Sequence, residues 1–134
     1  MESYLRWDFL VSDNPGAWEA ETNYLAYEFH HGSDGLPLVF IHDLAAGGDG
    51  RGTVLLARTM EEARNRGVSQ VTAIFQPRII RGLQHDDVRT RAQRWYERRG
   101  IVLVGIDELT GDVDNVLALC TIILAQHQTK IVRV

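Results

Sequence analysis

The chain has 134 residues, of which 45% are hydrophobic and 24% are charged, and its net charge is -4. This length and hydrophobic content suit a single domain over residues 1–134, with a core that needs no covalent cross-links. The single cysteine, Cys120, excludes an internal disulfide and a cysteine-based zinc site, and favours a cytoplasmic, reducing compartment. The longest apolar stretches, residues 101–106 and 116–125, are too short to cross a bilayer, so no membrane association is expected.

Charge is unevenly distributed along the chain. Residues 1–50 carry one arginine and nine acidic residues, whereas residues 51–99 carry eleven arginines and five acidic residues. We expect most of these arginines to solvate the outer faces of two helices, with an anionic partner as the alternative. Nucleic acid is an unlikely partner, because the protein is acidic overall and its arginines are not interleaved with exposed aromatic residues.

The first third of the chain is predicted to contain three strands. Residues 4–11 alternate between apolar and polar side chains, as in a half-buried strand, and a loop begins at Asn14. Residues 24–31 alternate again, and a turn separates them from the mostly apolar residues 36–43, which indicates an antiparallel hairpin. The first third is therefore predicted to be a meander.

A strand–helix–strand unit is predicted next. After the glycine-rich residues 47–52, residues 53–66 place Leu56, Met60 and Ala63 at helical spacing, and Gly67 is typical of a helix C-terminus. Residues 68–75 are rich in β-branched side chains and indicate a buried strand, parallel to the strand before the helix.

The last third is predicted to contain a second helix and two strands. Asp86 or the residue after it is a suitable N-cap, and the helix ends at Gly100. One face of this helix carries Val88, Ala92, Trp95 and Tyr96. Strands are expected at residues 101–106 and 116–125, with a turn at 110–115 between them. The predicted fold is α/β (α+β), a mixed and largely antiparallel sheet with a central βαβ unit and two main helices.

The glycine-rich loop before the first helix suggests an anion site. Gly48, Gly50 and Gly52 allow a tight turn whose N–H groups point into one concavity, where the helix N-terminus adds positive charge. A pyrophosphate fits such a concavity, but a tight surface loop needs the same residues. The loop is not a Walker motif, because Gly-Lys-Ser/Thr is lacking.

Two segments resemble the GNAT superfamily of acyl-CoA N-acetyltransferases. The first, Gly48-Asp49-Gly50-Arg51-Gly52-Thr53-Val54-Leu55-Leu56 with the helix that follows, is similar to the acetyl-CoA loop of that family. The second, Ala92-Gln93-Arg94-Trp95-Tyr96-Glu97-Arg98-Arg99-Gly100-Ile101, is similar to the family segment A-x-x-F-Y-E-x-x-G-F. Together with the strand order, the resemblance covers residues 36–106.

The resemblance implies an N-acetyltransferase that uses acetyl-CoA as cosubstrate and acts by direct transfer on an amine of a small molecule or a protein. The pantetheine arm would lie between residues 41–45 and 71–75. The implied pyrophosphate contacts are Gly48, Gly50, Arg51, Gly52 and Thr53. Tyr96 matches the family tyrosine that gives a proton to the departing thiolate, and a core-facing aromatic residue is the alternative interpretation.

A general base must also take a proton from the acceptor ammonium. The candidates are Glu28, His30, His42 and Asp43, and we select Asp43 because family carboxylates serve at this position. A solvated carboxylate at a strand end is the alternative. Histidines at adjacent strand positions point to opposite faces, so no metal site is predicted.

The sequence departs from the family in two places. Gly47 and Arg51 replace a Gln or Arg and an apolar residue of the motif, and residues 1–23 are too few for the strand and two helices that precede the family meander. A second hypothesis is therefore a non-enzymatic GNAT-like subunit of a larger assembly, for example a virus particle. In that hypothesis Trp7, Phe9 and Trp18 contact neighbours. Either hypothesis allows a homo-oligomer or a partner subunit.

A third hypothesis is an anion- or nucleic-acid-binding module. It would use the arginines of the basic half, namely Arg78, Arg81, Arg89 and Arg91.

Overall fold

A computed structural model describes residues 6–9, 23–45, 50–75 and 85–132, with side chains described at 23–45, 50–75 and 89–126. Within these residues, the strands are β1 (Arg6–Phe9), β2 (Tyr24–His31), β3 (Pro37–Ala45), β4 (Gln70–Ile74), β5 (Val102–Val104) and β6 (Glu108–Asp112). The helices are α1 (Arg51–Asn65), α2 (His85–Arg98) and α3 (Val113–Val132). The side chains of Trp7, Phe9 and Trp18 and the predicted loop after β1 lie outside the described residues.

The strands form one six-stranded sheet in the order β1-β2-β3-β4-β6-β5. Neighbouring strands are antiparallel except for β3 and β4, which are parallel and are joined through α1. This arrangement confirms the predicted meander, the central βαβ unit and the mixed, largely antiparallel sheet.

One face of the sheet packs against α1 and α3. Alternate strand residues such as Phe29, Val39 and Val71 are buried on this face, as expected from the period of two along a strand. From α1, Leu56, Met60 and Ala63 are fully buried, which confirms the predicted helix face. The opposite face carries the intervening residues, among them Glu28, His30 and Phe40, which are half-buried.

The prediction of a strand at residues 116–125 is wrong, because α3 covers them. The segment is long, apolar and rich in β-branched residues, and such a run suits both a strand and a buried helix. The pattern of burial is that of a helix, because Val113, Val116 and Cys120 are fully buried at helical spacing. The fold therefore has three described helices where two were predicted. None of them has the length and apolar character that a membrane crossing requires.

The prediction of a turn at residues 110–115 is also wrong. Residues Glu108–Asp112 form β6, which lies between β4 and β5, and α3 begins at the next residue. The carboxylate of Asp112 accepts a hydrogen bond from the Asn115 N–H at 2.9 Å, so Asp112 is the N-cap of α3. Gly111 is required in β6, because a Cβ there would lie 2.7 Å from the Gly100 carbonyl oxygen.

Candidate functional site

The parallel strands β3 and β4 part near the middle of the sheet. Their pairing runs from Leu38 opposite Gln70 to Ile41 opposite Ala73. Beyond this point β3 continues to Ala45 and pairs with β2, while Ile74 pairs with β6. The register between β2 and β3 also shifts here, so that His42 is an extra residue in a β-bulge. Beyond Ile41, the edge of β3 that faces β4 has no strand partner among the described residues.

Tyr96 lies within electrostatic range of Asp43, which is on β3 beyond this parting. Burial, and secondarily the negative charge of Asp43, raise the pKa of the Tyr96 phenol to about 12. The Tyr96 ring contacts Phe75 edge to face, with centroids 6.5 Å apart. Asp43 accepts a hydrogen bond from the Tyr24 hydroxyl at 2.5 Å. The phenol therefore keeps its proton at neutral pH, beside a carboxylate that is held in place.

The other three base candidates lie on β2 and β3, the strands that carry Tyr24 and Asp43. The His42 Nε2 atom is 2.8 Å from the Glu28 Oε1 atom, and the His42 ring contacts Phe40 edge to face. The Nδ1 atom of His30 lies 3.2 Å from the carbonyl oxygen of His31. Of the four candidates, Asp43 is the one whose charge acts on Tyr96. In the described part of the chain, no group of three side chains is arranged to hold a metal ion.

The N-terminus of α1 follows β3 and the glycine-rich loop. Gly50 is the N-cap, with a left-handed φ of 79° that favours glycine, and no side chain caps the helix. The first backbone hydrogen bond runs from the Val54 N–H to the Gly50 carbonyl, so the N–H groups of residues 51–53 have no partner within the helix. Gly48 lies outside the described residues. Thr53 is buried, and its contact with a phosphate stays a prediction.

Arg99 is a residue of this region that the sequence analysis missed. Its guanidinium donates hydrogen bonds to the Thr53 hydroxyl oxygen, from Nε at 3.1 Å and from Nη2 at 2.8 Å. It also donates to the Trp95 carbonyl oxygen at 2.8 Å and lies 3.9 Å from the Trp95 ring centroid. The available signal was its spacing, because Arg99 directly follows α2 and lies seven residues after Ala92, in line with the apolar face of that helix.

The arginines proposed for nucleic-acid binding are only partly described. Arg89 donates a hydrogen bond to the Ile106 carbonyl oxygen at 2.7 Å and lies over the Phe75 ring. Arg91 is exposed, and Arg78 and Arg81 lie outside the described residues. Arg89 is therefore engaged in joining α2 to the turn between β5 and β6.

Comparison with solved structures identifies the fold. A putative GNAT-family acetyltransferase from Desulfovibrio desulfuricans matches with a TM-score of 0.58 and 18% identity, over 81% of this chain and 69% of that chain. The KacTA–DNA complex matches with a TM-score of 0.59 and 20% identity, over 87% and 73%. AtaTR bound with AcCoA matches with a TM-score of 0.58 and 20% identity, over 86% and 71%.

No protein-family model matches the sequence, and no curated protein matches it either. The structural matches show that the chain has the GNAT fold in a divergent form. They give no support to the expectation that nucleic acid is an unlikely partner, because two of the similar structures are complexes with DNA.

Proposed function

Since the chain has the GNAT fold, we propose that it is an acetyl-CoA-dependent N-acetyltransferase that transfers the acetyl group directly to an amine. The observation that carries this proposal is the parting of β3 and β4, with Asp43 on β3 and with Tyr96 packed on Phe75 at the end of β4, within electrostatic range of Asp43. A protonated phenol and a carboxylate are a suitable acid and base for acyl transfer to an ammonium group.

The residues around α1 fit the proposed cosubstrate, which supplies the acetyl thioester when it is bound. The N–H groups of residues 51–53, which have no acceptor within the helix, and the N-terminus of α1 are suited to a pyrophosphate. Gly48, Gly50, Arg51, Gly52 and Thr53 would hold this group. The edge of β3 beyond Ile41 offers backbone groups that can hydrogen bond to the amides of a pantetheine arm.

Asp43 and Tyr96 would divide the proton transfers between them. Asp43 takes a proton from the acceptor ammonium, and the nitrogen lone pair that this releases forms the bond to the acetyl carbon. The carbon–sulfur bond would break, and Tyr96 would give its phenolic proton to the departing thiolate. The second proton lost by the nitrogen would return to the Tyr96 oxygen, so that the phenol is restored. The hydrogen bond from Tyr24 holds Asp43 in place during the first transfer.

Isothermal titration with acetyl-CoA tests the proposal. We expect micromolar binding by the wild type and a loss of at least about tenfold in Gly50→Val, because a β-branched residue strains the left-handed conformation of the N-cap. Gly35→Val is the matched control: Gly35 has a φ of 80° in the turn between β2 and β3, with nothing within 4 Å of an added Cβ. No binding by the wild type at millimolar acetyl-CoA would sink the proposal.

A structural or partner-binding role is the second candidate function. The apolar side chains Ile74, Val102, Val104 and Ile106 are exposed, and two of them lie on the edge strand β5. Exposed apolar groups next to an open strand edge favour association with a partner subunit or a second copy. Sedimentation velocity tests this candidate, since a stable oligomer without affinity for acetyl-CoA would favour it over the enzyme.

A further inference from the structure

The N-terminus of α1 carries an unusual set of charges. The positive end of a helix dipole favours acidic side chains in the first turn, but α1 has none there and begins with Arg51. The guanidinium of Arg99 also lies against Thr53, the third residue of the helix. Two cations therefore lie at a helix end that repels positive charge.

Arg99 has no anionic partner among the described residues. It is only 8% exposed, and its hydrogen bonds go to two neutral oxygens, the Thr53 hydroxyl and the Trp95 carbonyl. The remaining contact is the face of the Trp95 ring. A buried charge without a counter-charge is unfavourable, because its desolvation is not offset by ionic attraction.

Cys120 does not supply the missing charge. This thiol is fully buried and close enough to interact electrostatically with Arg99. Burial nevertheless raises the pKa of Cys120 to about 11, so the thiol is neutral at physiological pH. Among the described residues, the charge of Arg99 therefore has no counter-charge.

We propose that Arg99 is the buried counter-charge of a diphosphate bound at the N-terminus of α1. It is a positioning residue, because it acts through its charge at the start of α1 and does not contact the phosphates. The inference rests on the proposed function, in which the diphosphate is that of acetyl-CoA. A purely structural link between α1 and α2 would need the hydrogen bonds of Arg99 but not its charge.

The test compares Arg99→Met with Arg98→Met, which removes the same charge from an exposed neighbour on α2. Titration with acetyl-CoA at several NaCl concentrations should show about a tenfold loss of affinity in Arg99→Met at each concentration, since the lost interaction is buried and salt screens it little. Arg98→Met should stay within about twofold of the wild type, because an exposed charge is screened. Wild-type affinity in a folded Arg99→Met would overturn the proposal.

If Arg99→Met does not fold, Arg99→Lys separates charge from contact, because a lysine keeps the charge but cannot reproduce the paired donors to Thr53. Affinity within about threefold of the wild type, with an unchanged salt dependence, supports the proposal. A tenfold loss of affinity in a folded Arg99→Lys would show that the hydrogen bonds to Thr53, and not the charge, support binding. That result would contradict the proposal.

Inorganic pyrophosphate separates this inference from the proposed function. The unfolding temperature of the wild type is measured in pyrophosphate and in NaCl of equal ionic strength. A higher unfolding temperature in pyrophosphate, together with no binding of acetyl-CoA, would support the anion site and contradict the acetyltransferase. The proposed role of Arg99 would be overturned if pyrophosphate stabilised Arg99→Met as much as the wild type. It would also be overturned if pyrophosphate did not stabilise Arg99→Lys.

Discussion

The N-termini of α1 and α3 differ in the side chains that lie next to their backbone N–H groups and positive dipole ends. At α3, the Asp112 carboxylate accepts a backbone N–H, and Asp114 adds a second negative charge in the first turn. At α1, the N-cap is Gly50, no side chain caps the helix, and Arg51 begins it. One helix end is capped by a side chain of its own chain, whereas at the other no side-chain cap is present and a basic residue begins the helix.

The largest effect on acetyl-CoA affinity is expected from a variant in which α1, like α3, has an acidic side chain in its first turn. Arg51→Glu should weaken acetyl-CoA binding about a hundredfold, because a carboxylate at the start of α1 repels the phosphates. The free protein should be more stable by about 0.5 kcal/mol, since the acid suits the helix dipole. Titration calorimetry and urea unfolding measure the two effects.

Arg58→Glu is the control for this reversal, because Arg58 is exposed on the same helix about two turns further on. It should change the affinity by less than about threefold. Equal losses in both variants would mean that overall charge, and not the start of α1, governs binding.

A second prediction concerns the ionisation of Tyr96. The pKa of Tyr96 is raised to about 12, above the value of about 10 expected in the unfolded chain. The folded protein therefore holds a proton that the unfolded chain loses between pH 10 and 12. The free energy of unfolding that this residue contributes is fully present below pH 10 and falls by about 1.4 kcal/mol by pH 11.

Urea unfolding of the wild type and Tyr96→Phe at pH 9 and pH 11 checks this prediction. The difference in stability between the two proteins should shift by about 1.4 kcal/mol in favour of Tyr96→Phe at the higher pH. The comparison cancels Cys120, whose thiol also has a raised pKa and is present in both proteins. An unchanged difference would mean that the Tyr96 phenol ionises normally.

The smallest expected effect comes from making α3 resemble α1. Asp112→Ala removes the N-cap and should lower the free energy of unfolding by about 1 kcal/mol. Acetyl-CoA affinity should stay at the wild-type value, because this helix end serves the fold. Thermal unfolding and titration of one preparation measure both quantities, and a loss of affinity in the folded variant would contradict the contrast between the two ends.

The sequence predicted several residues of the candidate site and the elements that carry them, but not how these residues are arranged in space. The glycines and Arg51 could be placed before a helix from the sequence, and Tyr96 could be placed on the next helix. Arg99 was missed because a cation on an apolar helix face has no local signature of its partner. Its meaning depends on Thr53, which lies on another helix.

The sequence by itself determined β2, β3, α1 and β4, because alternation, helical spacing and the glycine at the end of α1 are local signals. It did not determine α3, because a long apolar run with β-branched residues suits either a strand or a helix. The tertiary structure decided this point by packing α3 against α1, and it also decided the insertion of β6 between β4 and β5. The approach of Tyr96 to Asp43 likewise depends on contacts between distant residues, which no local period encodes.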